Sequence, residues 1–435
     1  MEIPNDAVGL PIRKKRLLFY GDTPTGTTGF STVSKNILKR LHDTGLYDIH
    51  IVGINYYGEP HDLPYKIYPA VYNEQQDVYG RQKFIQFLRN KKNAWDVVFT
   101  LQDTFIMATI GEAIAKLRDG YDEYVEVKEN GAIIKKKVRR EGAGFKWIYY
   151  FPIDAQPRRE WIEKSVKLCD IAVPYTKYAE DECRRFVDRE YHVIYHGFDR
   201  NTFYPLSEEE KQKFRDEHFK EHGLKERFLI VNVNRNQERK GYLQTLIAFK
   251  IFNSIIPNAV LYTHCDVVGD RGGNLIEVGR QIGLTENWIY PNPKLYEDGI
   301  EIEPEFINGV LNIADVNMST TLGEGFGLSL IEAMAVKTIN IFPDNTAPKE
   351  LLADNRGILV RSGDTPNNLE MNGHLDNNIL RPVTNIEDMV NKLLWIYRSR
   401  NIVDDMAEKS FAWANENCDW DKIAMQFHEL IIDAK

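Results

Sequence analysis

Short, fully apolar runs alternate along the chain with amphipathic stretches of helical periodicity. Residues 228–234 and 259–264 are typical apolar runs, and residues 31–44 are a typical amphipathic stretch. Strands that are apolar at every position are buried on both faces, as in parallel sheets covered by helices. The pattern therefore predicts an α/β chain with two sets of parallel strands. The predicted strands are 16–20, 49–54, 96–101, 146–151, 171–174, 192–195, 228–234, 259–264, 316–319, 338–342 and 358–360.

The alternation breaks in two places. A charged stretch at 121–146 contains Asn130-Gly131 between alternating apolar residues, which is typical of a β-hairpin inserted into the first domain. A second charged stretch, at 207–227, is rich in Glu and Lys and is predicted to be a helical connector between two α/β domains. The expected segments are a first domain over 1–205, a second domain over 206–415 and a C-terminal helix over 416–435.

The C-terminal segment has one apolar face, because its large apolar residues recur at helical spacing. A helix with such a face must bury it, and we expect this one to pack back on the first domain. The residues of the face are Trp420, Ile423, Phe427, Leu430 and Ile431.

Composition narrows the functional classes. The 435 residues carry a formal net charge of −9, so the chain as a whole has no attraction for polyanions. The four cysteines form no C-x-x-C pair and no zinc-ligand cluster, which indicates free thiols in a reducing compartment. No apolar stretch approaches the roughly 18 residues of a membrane helix. These features predict a cytoplasmic protein without a transmembrane segment.

One basic cluster stands out against this acidic background, within the predicted hairpin. Two interpretations stay open: a solvated edge that Lys protects from aggregation, or a surface that follows a nucleic-acid backbone. A nucleic-acid acceptor therefore belongs among the candidate partners. The cluster consists of Lys135, Lys136, Lys137, Arg139 and Arg140.

Two loops could handle phosphate. The first predicted strand leads into a glycine-rich loop with Gly26 and Gly29, and a helix is predicted to begin near Ser31. Glycines let the backbone approach an anion at a helix N-terminus, although a plain tight turn would look the same. In the second domain, Arg235 and Lys240 follow the carboxyl end of its first strand, where ligands of open α/β sheets bind. Such cations suit a diphosphate, and the alternative is a solvated loop.

The most informative segment follows the strand at 316–319. It reads Glu324-Gly325-Phe326-Gly327-Leu328, with Glu332 eight residues after Glu324, about two helical turns away. Gly325 and Gly327 free the backbone where a helix begins, which presents N–H donors to an anion. Carboxylates accept hydrogen bonds from sugar or ribose hydroxyls. The helix dipole alone would explain Glu324, but not an acid within the following apolar run.

Together these segments resemble a known family. Glu324 and Glu332 resemble the E-x7-E motif of retaining GT-B glycosyltransferases of the glycogen-synthase and sucrose-synthase type, the GT4-like "glycosyl transferases group 1" set. Arg235 with Lys240 resembles the R…KG diphosphate site of that family. The resemblance spans nearly the whole chain in motif order. The matching positions are Gly26, Gly29, His196, Gly197, Phe198, Asp199, Phe203, Pro205, Arg235, Lys240, Gly241, Glu324, Gly325, Phe326, Gly327, Leu328, Glu332 and Trp420.

The resemblance implies a GT-B fold, with two Rossmann-like domains facing a central cleft, and a role for each matching residue. Arg235, Lys240 and the backbone of Phe326, Gly327 and Leu328 would hold the donor diphosphate. Glu332 would bind ribose hydroxyls, and Glu324 would bind hydroxyls of the donor sugar. The loop of Gly26 and Gly29 would approach the distal phosphate.

The sequence departs from the family in the first domain. Where many members have a His after a middle strand, this chain has Asp154, and a second acid, Asp103, follows the strand at 96–101. Either acid could orient the acceptor or stabilise positive charge on the sugar ring. The alternatives are a helix N-cap for Asp103, before a helix over 105–117, and a turn cap for Asp154.

The sequence thus predicts an enzyme that transfers a sugar from a nucleotide-diphosphate donor, such as a UDP-sugar, to an acceptor hydroxyl, with retention. No D-x-D motif is present where a divalent ion would bind the donor phosphates, so we expect no metal and no cofactor. Single replacement of Arg235 or Lys240 by alanine is expected to abolish transfer and leave the fold intact. The alternatives are a nucleotide-sugar epimerase of the same fold and a non-catalytic nucleotide-sugar-binding protein.

Overall fold

The computed structural model describes residues 13–70, 77–90, 94–129, 132–297, 302–365, 369–372 and 377–433. The chain divides into two compact units, which are described separately. The first comprises Met1–Ile153, Pro157–Ile194 and Trp420–Lys435, and the second comprises Asp154–Gln156 and Tyr195–Asp419. The change of unit after Ile194 precedes the boundary that the sequence suggested at 205.

The first unit is built on a six-stranded parallel sheet of order β3-β2-β1-β4-β7-β8, and a separate antiparallel pair is formed by β5 and β6. The central strands are apolar at nearly every position and are buried, because helices cover the sheet. The strands are β1 (Lys15–Asp22), β2 (Tyr47–Ile54), β3 (Lys66–Pro69), β4 (Val97–Leu101), β5 (Gly120–Glu129), β6 (Ala132–Glu141), β7 (Lys146–Phe151) and β8 (Ile171–Pro174). The helices are α1 (Gly29–Asp43), α2 (Arg81–Arg89), α3 (Thr104–Met107), α4 (Gly111–Asp119), α5 (Arg159–Lys164) and α6 (Lys177–Arg184).

The second unit repeats this architecture with a sheet of order β11-β10-β9-β12-β13-β14 and a separate antiparallel pair, β15 and β16. The strands are β9 (Phe228–Val233), β10 (Ala259–His264), β11 (Trp288–Ile289), β12 (Val316–Met318), β13 (Asn340–Pro343), β14 (Ile358–Val360), β15 (Leu369–Asn372) and β16 (Ile379–Pro382). The helices are α7 (Glu208–His218), α8 (Tyr242–Ile255), α9 (Leu275–Gln281), α10 (Pro293–Glu297), α11 (Pro304–Ile313), α12 (Leu328–Ala335), α13 (Thr346–Leu351), α14 (Ile386–Arg398) and α15 (Arg400–Asn417).

The last helix, α16 (Trp420–Asp433), groups with the first unit and packs along α1. The ring of Phe427 lies 5.1 Å from that of Phe99 and 4.8 Å from that of Tyr150, centroid to centroid. Polar contacts add to this packing, since the Tyr47 hydroxyl lies 2.7 Å from Nδ1 of His428. The apolar face read from the sequence is therefore buried in the first unit. Of the described helices, none is long and apolar enough to cross a bilayer.

The pair β5 and β6 carries the basic cluster. Two carboxylates of the facing strand pair with three of its five cations. Asp122 lies 2.8 Å from Lys137 and 3.6 Å from Arg139, and Glu123 pairs with Arg140. The connecting pair Asn130-Gly131 lies outside the described residues. Ion pairing within the strands leaves less charge to bind a phosphate backbone than the sequence suggested.

Two local expectations were wrong, and four short strands were missed. Residues 192–195 form no strand, because the backbone N–H groups of His192 and Ile194 donate to the carbonyls of Ala172 and Pro174 without extending the ladder. The helix expected over 105–117 is two helices, α3 and α4. The short strands β3, β11, β15 and β16 were not predicted.

Candidate functional site

The candidate site lies where two neighbouring strands of the second sheet end. Strands β9 and β12 are parallel partners, and Val316 pairs in register with Ile230. Parallel strands place their carboxyl ends at the same sheet edge, where ligands of open α/β sheets bind. The loop after β9 carries Lys240, and the loop after β12 carries Glu324. Both therefore leave the same edge of the sheet.

The two loops are joined by hydrogen bonds. The backbone N–H of Leu322 donates to the carbonyl of Arg239 at 2.7 Å, and the Thr320 hydroxyl donates to the carbonyl of Gly241 at 2.7 Å. Gly241 ends a 3-10 turn over Glu238–Lys240 with φ at +64°. A Cβ at this position would lie 2.3 Å from the carbonyl oxygen of Thr320. A glycine is therefore required for the two loops to meet.

A buried ionic cluster results from this contact. Nζ of Lys240 donates to Oε1 of Glu324 at 2.6 Å. The guanidinium of Arg239 donates to the carbonyl of Gly323 at 3.0 Å and lies 3.7 Å from Oε2 of Glu324. Glu324 is only 5% exposed. Two cations thus face one carboxylate, a surplus of positive charge suited to an anionic ligand.

Arg239 was missed by the sequence analysis. It directly precedes Lys240 and has no separate place in the R…KG pattern, so only its position in the turn links it to the site. In the structure its side chain approaches Glu324, whereas that of Arg235 does not join this cluster. The run of three charged residues over Glu238–Lys240, directly before a glycine, was the only available signal.

Burial and pairing shift the titration of this pair. Burial lowers the pKa of Lys240 to about 8, although the attraction of Glu324 opposes the shift. Burial alone would raise the pKa of Glu324. The positive charges of Lys240 and Arg239 outweigh this effect and hold the pKa of the carboxyl below its usual range. Glu324 is therefore ionised at neutral pH, and Lys240 is still mostly protonated there.

The glycine segment leads into α12. Gly327 is the N-cap residue with φ at +104°, and the helix begins at Leu328. Glu324 precedes the helix and Glu332 lies one turn inside it, so the expected separation of two helical turns was wrong. Burial raises the pKa of Glu332 to about 7. Its carboxyl is therefore protonated to a large extent at neutral pH.

The side chain of Phe326 faces the protein interior. It is buried, and its ring centroid lies 4.7 Å from that of His196. The neighbouring residues Gly325, Gly327 and Leu328 are partly exposed. This arrangement leaves the backbone of the segment, rather than the phenyl ring, to meet a ligand.

Arg235 is engaged elsewhere. Its guanidinium forms a two-pronged contact with Asp270, with Nε to Oδ2 at 2.9 Å and an Nη to Oδ1 at 2.8 Å. The side chain is 56% exposed. The loop of Asp270 also approaches this strand end, because Asn236 donates to the carbonyls of Gly269 and Gly273. The geometry thus separates Arg235 from Lys240, which the sequence had grouped in one role.

Asp154 groups with the second unit, and its neighbours explain its titration. Its carboxylate oxygens each lie 3.3 Å from the guanidinium of Arg381. Burial alone would raise the pKa of Asp154, but attraction to Arg381 and Arg239 prevails and lowers it. Asp154 is therefore a carboxylate at neutral pH. It was a sequence candidate, whereas Arg381 was not.

The remaining candidates lie in the first unit. Gly26 and Gly29 stand between β1 and α1, where Thr28 caps the helix by accepting a hydrogen bond from the N–H of Ser31. A Cβ at Gly26 would lie 2.7 Å from Oγ of Ser31, so the loop is tightly folded. Asp103 occupies the N-cap position of α3 without a side-chain cap hydrogen bond. The side chain of Asp103 therefore does not cap α3.

Comparison with known proteins points to glycosyltransferases. Residues 214–369 match the family model described as Glycosyl transferases group 1. EpsD of Bacillus subtilis (strain 168), whose name places it among the glycosyltransferases, is 25% identical over 235 residues. That alignment covers 52% of this chain and 54% of EpsD. The chain therefore spans about half the length of this relative.

Solved structures resemble nearly the whole chain. Sucrose-phosphate synthase from Thermosynechococcus elongatus is 14% identical, with a TM-score of 0.71, over 96% of this chain and 98% of its own. HepE from Anabaena, solved in complex with UDP-glucose, is 14% identical, with a TM-score of 0.66, over 96% and 99%. WaaG, a glycosyltransferase of lipopolysaccharide biosynthesis, is 12% identical, with a TM-score of 0.63, over 96% and 100%. At these identities the likeness establishes the fold.

Over residues 214–369 the chain is therefore similar to the group 1 glycosyltransferases. The predicted GT-B fold, with two Rossmann-like sheets, is confirmed. The family match supports the predicted enzyme class. The family match covers Lys240, Glu324 and Glu332. It does not cover Asp154 or Arg381.

Proposed function

We propose that the chain is a group 1 glycosyltransferase that moves a sugar from a nucleotide-diphosphate donor to an acceptor hydroxyl. One observation carries the proposal: the buried pair of Lys240 and Glu324, with Arg239 as a second, partly exposed cation, at the carboxyl ends of β9 and β12. Because the side chain of Arg239 is 31% exposed, the surplus positive charge is accessible to an anion from solution. A diphosphate supplies that anion.

The leaving diphosphate gains negative charge as its bond to the anomeric carbon of the donor sugar breaks. A fixed cation at that position stabilises the transition state directly, because it needs no reorganisation in a water-poor site. We assign this task to Lys240 and Arg239, and propose that Arg235 joins them when the diphosphate replaces Asp270 as its partner and that transfer needs no metal. The backbone N–H groups of Gly327 and Leu328 at the start of α12 would add to it.

The carboxylates bind hydroxyl groups in this scheme. Glu332, one turn inside α12, accepts from the ribose, and Glu324 accepts from the sugar while it orients Lys240. Gly26 and Gly29 form the loop that approaches the distal phosphate. Asp154, with Asp103 as the second candidate, stabilises positive charge on the sugar ring or orients the acceptor, and we propose retention of configuration.

A UDP-sugar is the first donor to test, because HepE was solved with UDP-glucose. For the acceptor we favour a glycan over a modified nucleic-acid base, since Lys137, Arg139 and Arg140 are already paired within the hairpin. A cytoplasmic setting fits the four cysteines, which are buried and unpaired.

The donor should raise the unfolding temperature of the full chain. Binding to the native state stabilises it, by about 2.7 kcal/mol when the ligand is at 100 times its Kd. We would screen nucleotide diphosphate sugars by thermal shift and identify products from glycan acceptors by mass spectrometry. Transfer of the sugar supports the proposal. An isomerised donor with no acceptor product would indicate an epimerase, and binding without turnover a non-catalytic protein; either result would refute transfer.

Donor affinity should be highest between about pH 7 and pH 8. Ribose hydroxyls bind the ionised form of Glu332, so its pKa of about 7 makes affinity rise as pH increases towards 7. The diphosphate binds the protonated form of Lys240, so its pKa of about 8 makes affinity fall above pH 8. Calorimetric titration of the donor from pH 5.5 to 9.5 measures both limbs, with release of a proton on the acidic side.

The Glu332→Gln variant is the control for this profile. Glutamine retains an oxygen acceptor but does not titrate, so the acidic limb should flatten while the alkaline limb of Lys240 stays. An unchanged acidic limb in this variant would show that another group controls it.

A further inference from the structure

A side chain outside the family motifs holds one of the proposed catalytic acids. Arg381 lies on β16, in the antiparallel pair of β15 and β16 that stands apart from the main sheet. It is only 2% exposed, which is unusual for an arginine unless it is paired. Arg381 pairs with Asp154.

The contact fixes both the backbone and the side chain of Asp154. One Nη of Arg381 donates to the Asp154 carbonyl oxygen at 2.7 Å, and the other lies 3.3 Å from each carboxylate oxygen. A guanidinium suits this task because its donors form a rigid fork, whereas a lysine ammonium is a single point charge.

Asp154 also lies against the loop of the candidate site. A Cβ on Gly323 would come within 2.0 Å of the Asp154 carbonyl oxygen and 2.8 Å of the Arg381 guanidinium. Gly323 directly precedes Glu324. The contact of Asp154 and Arg381 therefore adjoins the cluster of Lys240 and Glu324 rather than forming a remote structural pair.

The charges of this region form one group. Arg239, Lys240 and Arg381 are cations, and Asp154 and Glu324 are carboxylates, so positive charge is in excess by one. Arg239 contributes to the field at both carboxylates. Removal of Arg381 would leave Asp154 with a weaker positive field and without its fork of donors.

We propose that Arg381 is a positioning residue that holds the carboxylate of Asp154 ionised and aligned for sugar transfer. The inference rests on the proposed function, since it assigns Asp154 a part in the reaction. Arg381 itself does not need to touch the donor. A displacement of about 1 Å at a reacting group can lower turnover about 100-fold, so loss of Arg381 should reduce kcat while donor affinity stays nearly constant.

A double-mutant cycle tests this. We would measure kcat, donor Kd and the pH–rate profile of Arg381→Met, Asp154→Asn and the double variant in the full chain. If Arg381 acts through Asp154, each single change lowers kcat about 100-fold and the double variant is no slower than Asp154→Asn. Donor Kd should change by less than about threefold, and the acidic limb of Arg381→Met should move to higher pH.

Two further variants guard against a simple folding defect. Arg381→Lys keeps the charge but loses the fork, so it should fold and recover part of the lost kcat. Arg361→Met removes a half-exposed arginine that lies 3.4 Å from Asp364 and 3.6 Å from Asp388, and it should leave kcat and the pH profile unchanged.

The outcomes separate the two proposals. The role of Arg381 would be overturned if the kcat losses of the two single variants multiplied in the double variant, or if donor affinity fell instead of kcat. Either result would leave the proposed function intact. Full activity of Asp154→Asn would instead remove the proposed part of Asp154 in the reaction, and the inference with it.

Discussion

Replacement of Lys240 by methionine should lower kcat/KM for the donor by about 100- to 1,000-fold, the usual effect of removing one transition-state charge contact. Methionine keeps most of the volume of the side chain, so packing changes little. The ammonium that faces the leaving diphosphate is lost. Steady-state kinetics at pH 7.5, where the wild-type lysine is mostly charged, would measure the effect.

The same variant should also be less stable. Without Nζ of Lys240, Glu324 remains buried with Arg239 at 3.7 Å as its nearest cation. Breaking a buried pair from one side costs about 3 kcal/mol or more. Urea unfolding should show this loss, which revises the expectation from the sequence that a change at Lys240 leaves the fold intact.

Lys337→Met is the matched control. Its Nζ lies 2.6 Å from Glu408, the same distance as in the buried pair, but the two side chains are 37% and 60% exposed. Water and salt screen such a pair, so the loss of stability should stay below about 1 kcal/mol and turnover should not change. Equal effects of the two variants on turnover would contradict the role of Lys240.

Much of the fold could be predicted because buried parallel strands are apolar at every position. The runs at 228–234 and 259–264 correspond to β9 and β10 within one residue. Strands β15 and β16 were missed since they lie outside the main sheet and alternate weakly between polar and apolar residues. The run at 192–195 was misassigned because it lies beside β8 without completing a ladder.

Residues of the candidate site could be predicted only where they keep a fixed spacing from one another along the chain. Lys240, Glu324 and Glu332 follow a pattern tied to the ends of strands. The contact of Arg381 with Asp154 joins residues 227 positions apart, and the pairing of Arg235 with Asp270 depends on how a neighbouring loop folds. Sequence spacing cannot encode either contact, because each depends on loop conformations rather than on strand ends.

Gly241→Ala should damage both stability and turnover through a single methyl group. The φ of +64° costs an alanine about 1–2 kcal/mol, and the new Cβ would lie 2.3 Å from the Thr320 carbonyl oxygen. A backbone oxygen cannot move aside as a flexible side chain can, so the two loops must separate. We expect a total loss of about 3 kcal/mol and a fall in kcat/KM of about 100-fold, because Lys240 immediately precedes the displaced residue.

Gly223→Ala separates the cost of the positive φ from the cost of the close contact with the Thr320 carbonyl. Gly223 has a similar φ of +56°, but a Cβ there would meet no atom within 4 Å. Its substitution should cost only the conformational preference, about 1–2 kcal/mol, and leave kcat/KM unchanged. Urea unfolding and steady-state kinetics of both variants provide the comparison. If Gly241→Ala were no worse than Gly223→Ala, the close contact between the two loops would not be what holds Lys240 against Glu324.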